Sequence, residues 1–169
     1  MSRWRAPSAA TTPYITASGY RALEVEVKAL WTRRREVVVH LAAAAAEGDR
    51  SENAEYIYRK KELREIDGRL GYLQRRMPVL TIVRQVPDDH SRVFFGARVE
   101  LEAADGEVRC LRIVGGDEAD AGRGEISIDA PVARSLLGRA LDDEVALGGA
   151  QAVHQRFVIV DISYPDPQA

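Results

Sequence analysis

Apolar residues in the first half of the chain recur at alternating spacings of three and four, which predicts long helices. The first such seam consists of Leu23, Val27, Leu30, Arg34, Val37, Leu41 and Ala44. Thr16 is a suitable N-cap for this helix, and Gly48 suits its C-terminal end. The run Ala42–Ala46 favours helix, and its small side chains allow a facing helix to approach closely.

A second helix is expected to start within Asp49–Glu52, and Pro78 is expected to end or fray it. Its seam consists of Leu63, Ile66, Leu70, Leu73, Met77 and Leu80. Two seams joined by a very short turn bury their apolar stripes by folding back on each other. The sequence therefore predicts an antiparallel hairpin with arms of about 30 residues and ~45 Å. Because this hairpin satisfies its own seam, we expect a monomer.

After Arg92 the pattern changes to the alternation typical of strands, with Asp105-Gly106 as a hairpin turn. Strands are expected at 97–102, 108–114, 125–129 and 157–162, and a short helix at 131–139. The predicted fold class is therefore α+β, a helical hairpin followed by an antiparallel β domain that carries one short helix. The predicted domains are a flexible tail (1–15), the hairpin (16–85) and the β domain (90–165), with Val86–Ser91 as the linker.

The composition excludes several classes of protein. The 169 residues are 46% hydrophobic and 30% charged, as in a globular protein. No apolar stretch reaches the ~18–20 residues that a membrane span requires, and Met1–Ala10 lacks the apolar region of a secretory signal. The single cysteine, Cys110, fits a reducing cytoplasm, and three scattered histidines give little support to a zinc site.

The charges are distributed unevenly although the formal net charge is only −2. Basic residues cluster at Arg33–Arg35, at Arg59–Lys61 with Arg64, and at Arg75–Arg76. Acidic residues gather in the second half of the chain. This asymmetry indicates two functional surfaces, although solvated helix faces would produce the same pattern.

The candidate chemistry lies at the predicted turn of the hairpin, in Gly48–Tyr56. Asp49 and Glu52 are three residues apart, so on one helical turn their carboxylates point the same way. Such a pair suits Mg²⁺, which binds one or two carboxylates together with water and phosphate oxygens. The same spacing is close to a capping box, in which both side chains only satisfy backbone N–H groups. The spacing leaves both interpretations open.

The segment Gly48–Tyr56 resembles the tip signature of the Gre family of transcription elongation factors, and Arg50 points to its GreB branch. Further matches cover Lys60–Asp67 and Tyr72-Leu73, and in the second half Val93–Gly96, Arg112–Gly115 and Ile126–Arg134. The resemblance extends over nearly everything from Ile15 to Tyr164.

This resemblance implies a coiled coil followed by an FKBP-like domain, acting on RNA polymerase. By the family pattern, the coiled coil enters the secondary channel of the polymerase, and Asp49 and Glu52 help to hold a Mg²⁺ ion shared with the polymerase. The factor would thereby stimulate the polymerase's own cleavage of backtracked nascent RNA at its 3′ end. It would be an activator, not itself an enzyme.

The resemblance also assigns supporting roles. Ser51, Asn53 and Tyr56 match tip supports, although Ser51 and Asn53 are ordinary residues at a helix start and Tyr56 equally fits packing at the end of the hairpin. The family's RNA-binding basic patch matches Arg59, Lys60, Lys61 and Arg64.

In the second domain, Asp129 and Pro131 match contacts to the rim of the polymerase channel, or simply mark a strand end and a helix start. Ala130 stands where the family commonly has Ser, which removes a hydroxyl N-cap.

Other functions remain to be separated from cleavage stimulation. The second class is a Gre-like protein that occupies the same channel and regulates the polymerase without promoting cleavage, but such a protein needs no matched pair of carboxylates. A generic coiled-coil adaptor or a prolyl isomerase is the third class, the latter suggested only by the FKBP-like fold. We expect no isomerase activity in the second domain.

Overall fold

The computed structural model describes residues 11–46, 53–147 and 155–165. The chain forms two compact units, a helical unit of residues 21–80 and a β unit built from the residues before and after it. The α+β class predicted from the sequence is confirmed. The elements in chain order are β1 (Tyr14–Thr16), α1 (Ala17–Ala46), α2 (Ala54–Arg76), β2 (Thr81–Val83), β3 (Arg98–Ala103), β4 (Val108–Val114), β5 (Glu125–Ser127), α3 (Pro131–Leu136), β6 (Glu144–Leu147) and β7 (Gln155–Ser163).

Helix α1 begins where the sequence predicts. The Thr16 hydroxyl accepts a hydrogen bond from the Gly19 N–H at 3.0 Å, which is the geometry of an N-cap. Along the predicted seam, Leu23, Val37 and Ala44 are buried. The predicted end at Gly48 lies outside the described residues.

Helix α2 starts later than predicted. It begins at Ala54 with Asn53 as its N-cap, and not within Asp49–Glu52, because the Asn53 side chain supplies the acceptor that the first turn needs. The seam residues Ile66, Leu70 and Leu73 are buried. The helix ends at Arg76, and Met77–Val79 form a 3₁₀ turn around Pro78, as the proline predicts.

The two helices pack against each other along their seams. Val37 of α1 forms a buried cluster with Ile66 and Leu70 of α2, and partly buried residues surround it: Val27, Leu30 and Leu63. Ion pairs flank the seam: Glu26 with Arg69 at 2.7 Å, Arg33 with Glu62 at 2.6 Å, and Arg34 with Asp67 at 2.7 Å. Arg34, the one charged residue in the predicted seam of α1, therefore pairs with a carboxylate on the facing helix.

The β unit contains a five-stranded sheet in the order β5-β4-β3-β7-β6. Three of its strand pairs are antiparallel, but β4 and β5 are parallel, which corrects the prediction of a purely antiparallel sheet. The connection 115–124 brings the chain back beside the second half of β4, so that Glu125 pairs with Arg112, using a 3₁₀ turn and Gly124 in a left-handed conformation. Parallel pairs usually need a longer, helical crossover, and for this reason the parallel pairing could not be predicted from the sequence.

Strand β6 and the short parallel pair β1–β2 were also absent from the prediction. Residues Tyr14 and Ile15 lie in β1, in a region that the sequence analysis assigned to a flexible tail, and Ile15 is fully buried. The predicted linker Val86–Ser91 lies within the β unit.

The core of the β unit lies between one face of the sheet and α3. It is formed by Val93, Ala97, Val99, Leu101, Ala103, Ile113, Ala133, Leu136, Val145, Leu147, Phe157 and Ile159. Within the described parts of the chain, no helix is long and apolar enough to cross a membrane.

Candidate functional site

Three of the predicted tip residues, Asp49, Ser51 and Glu52, lie outside the described residues. Their roles stay predictions. Two described residues border this gap: Ala46, the last residue of α1, and Asn53, the N-cap of α2. Among the described residues, no group of three or more His, Cys, Asp or Glu side chains could hold a metal ion.

Asn53 connects the two helix ends of the hairpin. Its side-chain oxygen accepts a hydrogen bond from the Tyr56 N–H at 3.0 Å, which caps α2. Its Nδ2 donates to the backbone carbonyl of Ala44 on α1, also at 3.0 Å. The N-cap position of α2, which the sequence left open for Asp49, is therefore occupied by Asn53.

Tyr56 is partly buried in the first turn of α2. The Lys60 ammonium lies 5.7 Å from the centre of its ring, one turn further along the helix. This distance is within the range of a cation–π interaction. The ring thus contacts a cation of the predicted basic patch, and its remaining exposure leaves both the packing role and a contact with RNA open.

Arg59 is held in a network of ion pairs. It pairs with Glu55 at 2.8 Å and with Glu62 at 3.1 Å, and only 19% of its side chain is exposed. Glu62 also pairs with Arg33. Burial acts to raise the pKa of Glu62, but the hydrogen bonds from Arg33 and Arg59 outweigh it, so this pKa lies below its usual value. The charge of Arg59 is thus neutralised within the hairpin.

Lys60 and Arg64, unlike Arg59, lie in a solvent-exposed environment. They are four residues apart, so they lie on the same side of α2, and both are exposed. Neither has an ion pair with any residue in the described ranges. Lys61 lies 4.0 Å from Glu65, with both side chains more than two-thirds exposed, which is a weak contact. The structure therefore divides the predicted basic patch into a paired arginine, Arg59, and available cations at Lys60 and Arg64.

Asp129 lies in the turn between β5 and α3 and binds a residue far away in the sequence. Its Oδ2 accepts a hydrogen bond from the Thr12 N–H at 2.8 Å, and its Oδ1 accepts one from the Thr12 hydroxyl. Pro131 is exposed at the first position of α3. Ala130 is the N-cap of α3 and makes no side-chain capping bond, as its loss of a hydroxyl predicts.

Glu118, whose carboxylate binds the residues at the start of α1, was missed by the sequence analysis. Glu118 accepts hydrogen bonds from the N–H groups of Thr16 and Gly115, each at 2.8 Å, and from the Thr16 hydroxyl at 2.5 Å. A Cβ atom at Gly19 would collide with the Glu118 carboxylate, and one at Gly115 with the carbonyl of Tyr14. The two glycines were the only signal of this close approach in the sequence.

Both halves of the chain match models of one protein family. Residues 13–82 match "Transcription elongation factor, N-terminal", and residues 88–164 match "Transcription elongation factor, GreA/GreB, C-term". The chain is 55% identical to transcription elongation factor GreB of Xanthomonas axonopodis pv. citri, over 97% of this chain and 98% of that protein. It is 50% identical to GreB of Pseudomonas aeruginosa, over 98% of both chains.

Among solved structures, the chain is similar to GreA factor homolog 1 of Thermus thermophilus. The identity is 23% and the TM-score 0.41, with 89% of this chain and 97% of that chain covered.

Proposed function

Given that the chain belongs to the GreA/GreB family of transcription elongation factors, we propose that it stimulates cleavage of backtracked RNA by RNA polymerase. In this proposal the tip of the hairpin enters the secondary channel of the polymerase. Asp49 and Glu52 then reach the active centre, where the 3′ end of the extruded RNA lies. Arrested complexes resume transcription because cleavage creates a new 3′ end.

The observation that carries the proposal is the role of Asn53. Asn53 caps α2 and binds the Ala44 carbonyl, so it fastens the helix ends on both sides of residues 47–52. Because the N-cap of α2 is already supplied, capping α2 does not require the Asp49 carboxylate. The cap at Asn53 therefore supports the metal-binding interpretation of the pair.

The donor set fits Mg²⁺, which is bound in many phosphoryl-transfer sites by one or two carboxylates plus phosphate oxygens and water. When bound in such a site, the ion supplies activation of a water molecule and stabilisation of charge at the phosphorus. Asp49 and Glu52 would contribute only two of its ligands, so the polymerase and the RNA must provide the others. The isolated protein is expected to bind Mg²⁺ weakly.

The basic residues of α2 contribute binding to the extruded RNA. Lys60 and Arg64 are exposed and free of carboxylate partners in the described structure, so they can attract phosphate groups without first breaking an ion pair. Arg59 instead stabilises the hairpin through Glu55 and Glu62. Lys61 contributes through its charge alone.

The β unit provides the docking surface. Asp129 and Pro131, in the turn that leads into α3, contact the rim of the secondary channel in this proposal. Pro131 is exposed, and its ring fixes the backbone at the first position of α3. Docking by one unit leaves the other unit, with its tip, to act in the channel.

The experiment that tests the proposal uses stalled, backtracked polymerase complexes with labelled RNA. The wild-type protein is expected to accelerate cleavage, and Asp49→Ala and Glu52→Ala variants that still bind polymerase should lose this effect. Glu55→Ala is a matched control, since it removes a nearby carboxylate that the structure places in an ion pair. If the wild type binds the complexes and either slows cleavage or leaves it unchanged, the protein is a channel regulator instead.

A further inference from the structure

The segment that precedes α1 is fixed to the β unit at several points. Tyr14–Thr16 form β1, which pairs with β2, and the Thr81 N–H donates to the Pro13 carbonyl at 2.6 Å. The ring of Tyr14 lies 5.9 Å from that of Phe95, edge to face. Thr12 thus lies only two residues before a strand that is paired with β2, so its position in the chain is well defined.

Thr12 uses both of its donors on one carboxylate. Its N–H and its hydroxyl donate to different oxygens of Asp129. Two bonds to two oxygens fix the plane of the carboxylate, which for an aspartate otherwise turns freely over a broad range. An ionised carboxylate can accept about four hydrogen bonds, more than the two that Thr12 donates.

We propose that Thr12 is a positioning residue for polymerase binding, because it holds the Asp129 carboxylate in the orientation that the polymerase contacts. This inference rests on the proposed function, in which Asp129 lies at the docking surface. A carboxylate that is already oriented loses less conformational freedom when a partner binds, which strengthens binding without adding a contact. The partner group on the polymerase is a hydrogen-bond donor, such as an arginine, a lysine or backbone N–H groups.

The test is a titration of the protein into backtracked polymerase complexes, which yields the half-maximal concentration and the maximal cleavage rate separately. Thr12→Val replaces the hydroxyl by a methyl group of similar shape and keeps the backbone N–H. The half-maximal concentration is expected to rise by about three- to ten-fold, the cost of ordering one side chain on binding. The maximal rate should be unchanged, because the tip of the hairpin is intact.

Two controls separate positioning from general damage. Thr12→Ser keeps the hydroxyl and should stay within about two-fold of the wild type. Thr11→Val makes the same chemical change one residue earlier, at an exposed side chain, and should behave as the wild type. A loss with Thr11→Val equal to that with Thr12→Val would overturn the proposal.

Combining Thr12→Val with Asp129→Ala tests whether Thr12 acts through the Asp129 carboxylate. Asp129→Ala should raise the half-maximal concentration, and adding Thr12→Val to it should cause no further rise. If Thr12→Val has its full effect without the Asp129 carboxylate, Thr12 acts through the fold and the inference is wrong. The inference alone also fails if Asp129→Ala weakens binding and Thr12→Val does not. If Asp129→Ala changes nothing, the docking contact itself is wrong, whereas cleavage stimulation still stands or falls on the tip variants.

Discussion

Arg59 and Arg64 lie little more than one turn apart on α2, yet their surroundings assign them different tasks. The Arg59 side chain is only 19% exposed and bonded to two glutamates, whereas Arg64 is exposed. A cation that is already paired must give up a carboxylate before it can bind a phosphate. A cation without an ion pair loses only bound water when it binds a phosphate.

The first prediction compares Arg64→Gln with Arg59→Gln. Arg64→Gln should reduce cleavage stimulation several-fold and weaken its dependence on salt, because one phosphate contact is lost. Its unfolding temperature should equal that of the wild type. Arg59→Gln should instead lower the unfolding temperature, because Glu55 loses its partner and Glu62 keeps only Arg33. Thermal unfolding and cleavage assays at two salt concentrations measure both effects; the reverse pattern would contradict this division.

The second prediction concerns the two hydrogen bonds of Asn53. Asn53→Ala removes the N-cap of α2 and the bond to Ala44, and should lower the free energy of unfolding by about 1–2 kcal/mol. Asn53→Asp keeps a capping oxygen but lacks the Nδ2 donor, so it should lose less stability. Both variants should lower the maximal cleavage rate, because the helix ends beside the tip are no longer joined. Equal stability of all three proteins by chemical denaturation would refute the capping role.

At the scale of the helices, the ion pairs beside the seam specify the register of the hairpin. Glu26 pairs with Arg69 and, seven residues further along α1, Arg33 pairs with Glu62. A shift of one heptad would place Glu26 opposite Glu62 in one direction, or Arg33 opposite Arg69 in the other. Like charges would then meet, so the alternation of sign opposes either shift.

The third prediction is a pH dependence of this pairing. The hydrogen bond from Arg69 lowers the pKa of Glu26, with a smaller opposing effect of burial. A carboxylate whose pKa is lower in the folded state stabilises the fold above its unfolded pKa, about 4.3, and this contribution is lost as the pH falls through the folded pKa. The stability difference between the wild type and Glu26→Gln should therefore be largest at neutral pH and shrink below about pH 4. Denaturation at a series of pH values measures it; a constant difference would count against the ion pair.

The long elements of this fold could be predicted from the sequence, whereas three short strands, β1, β2 and β6, could not. The seams of α1 and α2 repeat over several turns, and the alternation in β3 and β4 flanks the turn at Gly106, so each carries its own periodic signal. Strands β1 and β2 have three residues each, too few for a period, and they pair only with each other, across more than sixty residues of chain.

The same contrast holds for the candidate site. The basic residues and the carboxylates could be identified from the sequence, but their pairing could not. Arg59 is neutralised by Glu55 and by Glu62, which also pairs with Arg33 of the other helix. Asp129 is bound by Thr12, more than a hundred residues away in the chain. The predicted start of α2 is wrong because Asp49 and Asn53 are equally good capping residues. What favours Asn53 is its hydrogen bond to the Ala44 carbonyl in the last turn of α1, which the sequence does not show.

At the scale of the whole molecule, the chain consists of two compact units, to which the proposed function assigns different tasks. Variants in the helical unit should change the maximal cleavage rate, and variants in the docking turn of the β unit should change the concentration required. Neither unit is expected to cleave RNA alone, because two carboxylates supply too few ligands to hold a catalytic Mg²⁺ ion.

The fourth prediction follows from this shortage of ligands. Rigorously purified protein without polymerase should leave labelled RNA intact at any Mg²⁺ concentration that supports cleavage in polymerase complexes. Cleavage that copurifies with the protein, and disappears in the Asp49→Ala variant, would show that the protein is itself a nuclease.

The most direct test of the central claim is the Mg²⁺ dependence of cleavage in backtracked complexes saturated with wild-type protein, Asp49→Asn or Glu52→Gln. These substitutions keep the shape of each side chain and remove its charge. If the carboxylates hold the metal, both variants should need about ten-fold more Mg²⁺ for half-maximal cleavage, which corresponds to about 1.4 kcal/mol of lost binding free energy. Identical Mg²⁺ dependence in all three proteins would show that the tip does not hold the ion.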